Sequence, residues 1–194
     1  MLPLPEEGYE DQHDCVGMLE GAEGAAAAAE KPLPNPDLIL FMDGSSSVEH
    51  GIRKAGWAVT TLHEVVRKGG LPAGTSARQA ELRALAEACR VAEGQTANIY
   101  TDSRYAFGVA HDFGQLWRKR GFLTAAGTPI RNGMEVCDLL EALLLPEEVS
   151  ILKCKAHTKE NTDEAKGNTW ADQAAKEAAL MEPEKGTLVC QLGT

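Results

Sequence analysis

The chain has 194 residues, room for one domain of ordinary size with tails. No apolar run approaches the roughly 18–20 residues of a membrane span, and the opening Met1-Leu2-Pro3-Leu4-Pro5-Glu6-Glu7 lacks the basic-then-apolar order of a secretory leader. The expectation is a soluble intracellular protein. Five cysteines, odd in number and without CxxC spacing, argue against a zinc site or a disulfide framework and for reduced thiols. The net charge of −10 argues at first against a nucleic-acid partner, but it is unevenly spread. Residues 1–36 hold one Lys against eight acids and residues 182–194 one Lys against two, which leaves 37–181 with 17 basic and 19 acidic residues. Cations bound to a few of those acids would turn the middle slightly positive, so a polyanionic substrate stays open.

Residues 1–36, rich in Glu, Gly, Ala and Pro, read as a flexible acidic linker that buries no core, and Pro32, Pro34 and Pro36 mark its end. The domain then opens on Leu38-Ile39-Leu40-Phe41-Met42, a buried strand expected to stop in a turn at Asp43-Gly44-Ser45. Residues 53–61 and 64–71 are two further short strands joined tightly around Leu62-His63, which suggests an antiparallel meander. Residues 77–93 are helical, with Leu85, Ala88 and Ala92 on one stripe and Arg83, Glu87 and Arg90 opposite. Asn98 to Thr101 is a brief strand, and Ser103 is placed to cap the helix after it. A Leu-rich helix over 134–145 ends before Pro146, Val149 to Leu152 is a last strand, and 164–181 is an Ala-rich helix. The tail 182–194 is expected to be flexible. The order of elements fits an α/β fold, a mixed sheet covered by helices on both faces.

Four carboxylates stand where packing would favour an apolar group. Asp43 follows five apolar residues. Asp102 ends the fourth strand at a strand-to-helix switch, where open α/β sheets place their sites. Glu81 lies four, seven and eleven residues before Leu85, Ala88 and Ala92, on the buried stripe, and Asp172 precedes Ala175 and Ala179 on an alanine face. Any one of them could cap a helix or pair with an arginine. Four together are costly to bury unless cations bind among them, and oxygen ligands suit Mg²⁺ or Mn²⁺.

Several motifs in order resemble gammaretroviral ribonuclease H: Met42-Asp43-Gly44-Ser45-Ser46, Leu71-Pro72-Ala73-Gly74-Thr75-Ser76-Ala77, Ala80-Glu81-Leu82, Tyr100-Thr101-Asp102-Ser103-Arg104-Tyr105-Ala106-Phe107, and Gly167-Asn168 through Ala171-Asp172-Gln173-Ala174-Ala175. The resemblance runs over about residues 37–181. Leu2-Pro3-Leu4-Pro5-Glu6-Glu7-Gly8 is similar to the segment joining polymerase and ribonuclease H in murine-leukaemia-like reverse transcriptases.

This resemblance implies the ribonuclease H-like fold, a five-stranded mixed sheet flanked by helices on both faces. The activity it implies is hydrolysis of the RNA strand of RNA–DNA hybrids with two Mg²⁺ ions, replaceable by Mn²⁺, leaving 5′-phosphate and 3′-hydroxyl ends. Asp43, Glu81, Asp102 and Asp172 would be the metal-binding catalytic set, with Asp43 bridging, and His157, in a loop before the last helix, would assist proton transfer or product departure. The implied nucleic-acid contacts are Gly44, Ser45, Ser76, Arg78, Gln79, Arg104, Tyr105, Asn168 and the segment His111 to Arg120 ending in Trp117-Arg118-Lys119-Arg120. One departure stands out: Arg78 occupies a position where the family usually has Gln, and Gln79 follows it. Implied partners are the hybrid and a polymerase or connection part in cis, with no membrane, for a monomeric domain in the cytoplasm or virion core. Competing readings are a domesticated ribonuclease H-like module that binds without cutting, an integrase or transposase of related fold, and a cellular stand-alone ribonuclease H. The full set of four acids disfavours the first, the spacing of the acids the second, and the linker the third.

Overall fold

The computed structural model describes residues 28–154 and 162–183. Its sheet has five strands: β1 (Leu38–Glu49), β2 (Ile52–Thr60), β3 (Val65–Leu71), β4 (Thr96–Thr101) and β5 (Glu148–Lys153). Their spatial order is β3-β2-β1-β4-β5. The first three form an antiparallel meander, whereas β4 and β5 run parallel to β1. The helices are α1 (Ala77–Val91), α2 (Arg104–Gly108), a π-helical stretch Val109–Phe113, α3 (Gly114–Lys119), α4 (Gly133–Ala142) and α5 (Asp163–Ala178). The expected mixed sheet with helices on both faces is the architecture found. Among the described residues no helix is long and apolar enough to cross a membrane.

The alternation of β1 divides the core. Leu40 and Met42 point into the larger cluster, which includes Leu82, Leu85 and Ala88 of α1, Leu139 of α4 and Val109. The ring of Phe41 lies on the other face, under α5 at Gly167. There Ala174 and Ala175 pack on Ala58 of β2 in a smaller cluster. Alanine on that helix face lets α5 lie close to the sheet.

Several expectations need correction. The chain does not turn at Asp43-Gly44-Ser45: β1 continues to Glu49, paired with β2 throughout, and the reversal comes at His50 and Gly51, both with positive φ. Opposite the apolar stripe, the Arg83, Glu87 and Arg90 face of α1 carries a partly buried ion-pair network. Glu87 is 6% exposed and takes ion pairs from Arg67 of β3, Arg83 and Arg90, and Arg90 also pairs with Asp138 of α4. Residues 28–33 of the expected linker are held against the domain. Ala28 joins the larger core cluster, and Ala29 pairs with Ser150 on the outer edge of β5. An open strand edge carries unpaired N–H and C=O groups that a passing extended segment satisfies. At the opposite edge Pro183, assigned to the tail, bridges Gly70 of β3. Cys89 and Cys154 are free thiols, whereas Cys137 is disulfide-bonded, so the expectation of reduced thiols fails there.

Candidate active site

Strand register brings the first two carboxylates together. Phe41 of β1 pairs with Tyr100 of β4, and the two rings stack with centroids 5.2 Å apart. Two residues further on in each case stand Asp43, still within β1, and Asp102, just past the end of β4, close enough for their charges to interact. Helix α1 then approaches β1 so closely that a Cβ on Gly44 would lie 2.3 Å from the backbone carbon of Ala80. Only a glycine lets the backbones meet there, and the contact sets Glu81 beside Asp43. On the other face a Cβ on Gly167 would lie 2.4 Å from the Phe41 ring, and that contact brings Asn168 and Asp172 of α5 in over Asp102 and Asp43.

The electrostatics record the convergence. The Asp43 carboxyl, 5% exposed, is pushed up to about 9, first by burial and then by the charges of Asp102, Asp172 and Glu81, with a hydrogen bond between Asp43 and Asp172 acting in the same sense. Its Oδ1 accepts the Gly44 N–H at 2.9 Å. Burial also raises Glu81, and Asp102 adds to that rise. A hydrogen bond from Ser103 and the charge of Arg78 oppose it. Among the described residues no three His, Cys, Asp or Glu side chains form a ready-made metal cage. Each of the other three carboxylates is tied to a neighbour instead: Glu81 Oε1 to Ser103 Oγ at 2.7 Å, Asp102 Oδ2 to Asn168 Nδ2 at 3.2 Å, and Asp172 Oδ2 to Lys176 Nζ at 3.1 Å.

The donor set fits a hard divalent cation. It is all oxygen, it concentrates negative charge in a partly desolvated place, and beside it the buried Asn168 has a side-chain oxygen without a hydrogen-bond partner. An added cation would satisfy that oxygen and let Asp43 ionise.

The other expected residues divide into surface and support. Arg104, Arg118, Lys119 and Arg120 are exposed, and Ser45 is half-buried on β1. Ser76 and Gln79 are engaged with each other in a capping box: Gln79 N–H donates to Ser76 Oγ at 3.1 Å and Ser76 N–H to Gln79 Oε1 at 2.9 Å. The Ser-x-x-Gln spacing carries that signal in the sequence. Tyr105 is core, with its hydroxyl accepting from Asn132 and the Arg78 guanidinium 5.0 Å above its ring. His111, read as the start of a basic substrate segment, is turned inward onto the Ile151 carbonyl, and Trp117 is buried against Phe113. Asn168 is 4% exposed and holds Asp102. His157 lies outside the described residues. Sequence reasoning took Ser103 for a helix cap only and missed Lys176, although Lys176 stands one turn after Asp172.

The match that decides the family is to the model described as RNase H, over residues 35–180. The chain belongs to the RNase H family. This ribonuclease H is a hydrolase, and enzymes of its family generally use divalent metal ions. It is 47% identical over 180 residues to the Gag-Pol polyprotein of feline leukemia virus, covering 92% of this chain and 10% of that protein. To the Pol polyprotein of Radiation murine leukemia virus (strain Kaplan) it is 49% identical over 166 residues, covering 85% and 29%. These identities support a ribonuclease H domain of gammaretroviral type, and the chain spans under a third of the length of either relative. Among solved structures, the solution structure of the PFV RNase H domain matches with a TM-score of 0.57 at 23% identity, over 73% of this chain and 93% of that one. The foamy viral protease-reverse transcriptase in complex with RNA/DNA hybrid gives 0.64 at 21% identity, over 77% and 21%. At such identities these two show the fold alone.

Proposed function

We propose that this ribonuclease H cuts the RNA strand of RNA–DNA hybrids as part of a retroviral Pol protein, using two Mg²⁺ ions that Mn²⁺ can replace, and leaves 5′-phosphate and 3′-hydroxyl ends. The observation that carries this reading is the convergence of Asp43, Glu81, Asp102 and Asp172, with Asp43 buried and hydrogen-bonded to Asp172 and its carboxyl pushed up by burial and by the three neighbouring charges. A carboxyl so placed keeps a proton until a cation takes its place. The ions would supply charge stabilisation at the phosphate and a water of lowered pKa. Asp43 would contribute to both, Glu81 and Asp102 to one, and Asp172 to the other.

The chain's own residues do the rest. Ser103 and Asn168 fix the orientation of Glu81 and Asp102, so little reorganisation remains at the moment of reaction. Lys176 pairs with Asp172 and would have to release it for Asp172 to hold a cation. The exposed Arg104, Arg118, Lys119 and Arg120 would hold the hybrid's phosphates. Discrimination of RNA from DNA is assigned to contacts with the 2′-hydroxyl near Glu81. His157 is retained as a proton-transfer or product-release residue.

The test is incubation of the full chain with end-labelled RNA–DNA hybrid and Mg²⁺ or Mn²⁺. Internal cuts in the RNA strand, none in duplex DNA, and silence with EDTA are expected. Asp102→Asn should abolish cutting while the fold stays intact. Near-normal turnover by that variant would overturn the site.

A further inference from the structure

Residues 28–33 lie ahead of the segment matched by the family model, which begins at residue 35. They are nevertheless bound into the domain by a continuous seam. Ala29 N–H donates to the Val149 carbonyl at 3.0 Å, and Ile151 N–H donates to the Ala29 carbonyl at 3.0 Å. The buried Ser150 hydroxyl lies within hydrogen-bond distance of the carbonyls of Ala29 and Lys31. The Asn98 side chain closes a two-way pair with Leu33, accepting its N–H at 2.9 Å and donating to its carbonyl at 3.2 Å.

The seam does not end at the backbone. In a parallel strand the N–H and C=O of one residue point to the same side. The Ile151 carbonyl therefore faces the edge that Ala29 occupies, one step beyond the reach of the added segment. His111 takes it, with Nε2 3.0 Å from that oxygen, its ring against Phe107 at 4.3 Å and its Nδ1 4.0 Å from Glu30 Oε1. His111 stands in the middle of the π-helical stretch Val109–Phe113. Such a stretch is an i→i+5 insertion in a helix and one of the places where a helical run changes direction. Two turns further on, the same helical run presents Arg118, Lys119 and Arg120.

We propose that residues 28–33 are part of the substrate-binding apparatus. Docked on β5 they hold Glu30 and the strand edge against His111, and through the π-helical stretch they fix the direction in which the basic segment 118–120 is presented. The β5 edge is thus an interaction surface for the chain's own upstream segment. Whatever pulls that segment away weakens hold on a polyanionic hybrid without touching the carboxylates. The inference rests on the reading of 118–120 as a phosphate-contacting surface.

The test uses the full chain with three changes. Ala29→Pro removes the N–H given to Val149. His111→Ala removes the anchor but leaves the seam. The triple change Arg118→Ala, Lys119→Ala, Arg120→Ala removes the presented charges. Amide hydrogen exchange over residues 109–119 and hybrid cleavage kinetics are read for each. Ala29→Pro and His111→Ala should both speed exchange in that stretch and raise KM roughly fivefold, with kcat within about twofold of the parent. Unchanged exchange over 109–119 in Ala29→Pro would overturn the coupling. Faster exchange with unchanged KM, while the triple variant does show a raised KM, would overturn the substrate role and leave the basic surface standing. A triple variant with normal KM would sink the basic-surface reading itself, and the proposal with it.

Discussion

Ser103 Oγ lies 2.7 Å from Glu81 Oε1 and accepts the Ala106 N–H at 3.0 Å, so one buried hydroxyl both caps α2 and holds a carboxylate of α1. The donated hydrogen bond opposes the rise that burial and Asp102 impose on Glu81. Without it Glu81 would sit still higher, and a cation would have to displace more proton to bind. Ser103→Ala loses the donor and the cap together. Ser103→Gly loses the donor at only a few tenths of a kcal/mol of capping. Ser103→Thr keeps both. Mn²⁺ titration calorimetry should show weaker binding, by about tenfold, in the Ala and Gly variants and near-parent binding in Thr. If Ser103→Gly binds Mn²⁺ as tightly as the parent, Ser103 is a cap and nothing more.

Asp43 makes the cation-free protein sensitive to pH in a defined direction. Its folded value is about 9 against 3.8 unfolded. Between those values the native state holds a proton that the unfolded chain has released. Its stabilising effect is therefore complete below about 3.8 and is lost as pH rises towards about 9. With EDTA present, Tm should fall through the neutral and alkaline range, and Asp43→Asn should flatten that fall. Addition of Mg²⁺ at pH 7 should release protons and restore Tm. Parallel Tm-against-pH curves for the parent and Asp43→Asn would contradict the assignment.

Gly44 was expected to touch nucleic acid, but its position is explained by packing. A methyl there would have to occupy space 2.3 Å from Ala80 C and 2.4 Å from Glu81 N, both backbone atoms. Neither can rotate aside, so α1 must lift from β1. Gly44→Ala should cost about 3 kcal/mol in denaturant unfolding, at the upper end of overpacking effects, and should weaken Mn²⁺ binding because Glu81 moves with the helix. A loss of hybrid binding with parent stability would return Gly44 to the substrate surface.

The buried strands and the long helices were legible because a single periodicity dominated each: five apolar residues at Leu38–Met42, and the Leu85, Ala88 and Ala92 stripe. The carboxylates were legible as misfits against those patterns. What escaped were arrangements made by elements distant in sequence. Glu87 looked like one member of a polar face until Arg67, twenty residues upstream on β3, was brought over it to join Arg83 and Arg90. Gly44 looked like a turn because strand pairing across Ser45 to Glu49 depends on β2 rather than on local preference. His111 beside Asp112 and a run of basic residues suggested a surface, and only the parallel edge of β5 shows why it faces inward. Composition gave Ala29 no part in a core, yet its backbone N–H and C=O satisfy a strand edge that already exists.

The basic residues 118–120 give a last prediction that separates affinity from chemistry. All three are exposed, on a helix end remote in sequence from every carboxylate. Charges that replace condensed counterions on a nucleic acid appear as the slope of binding against salt, close to one unit per phosphate neutralised. Changing Arg118, Lys119 and Arg120 together to Ala should therefore flatten the slope of log K against log salt by roughly two to three units. Single-turnover cleavage at saturating hybrid should stay within about twofold of the parent, since interactions equal in ground and transition states leave that rate alone. Fluorescence anisotropy with labelled hybrid from low to physiological salt measures the first, and rapid quench the second. A slope that does not change would place the hybrid elsewhere on the domain. A matching loss in the saturated rate would mean that the segment orients the scissile phosphate as well as holding the duplex.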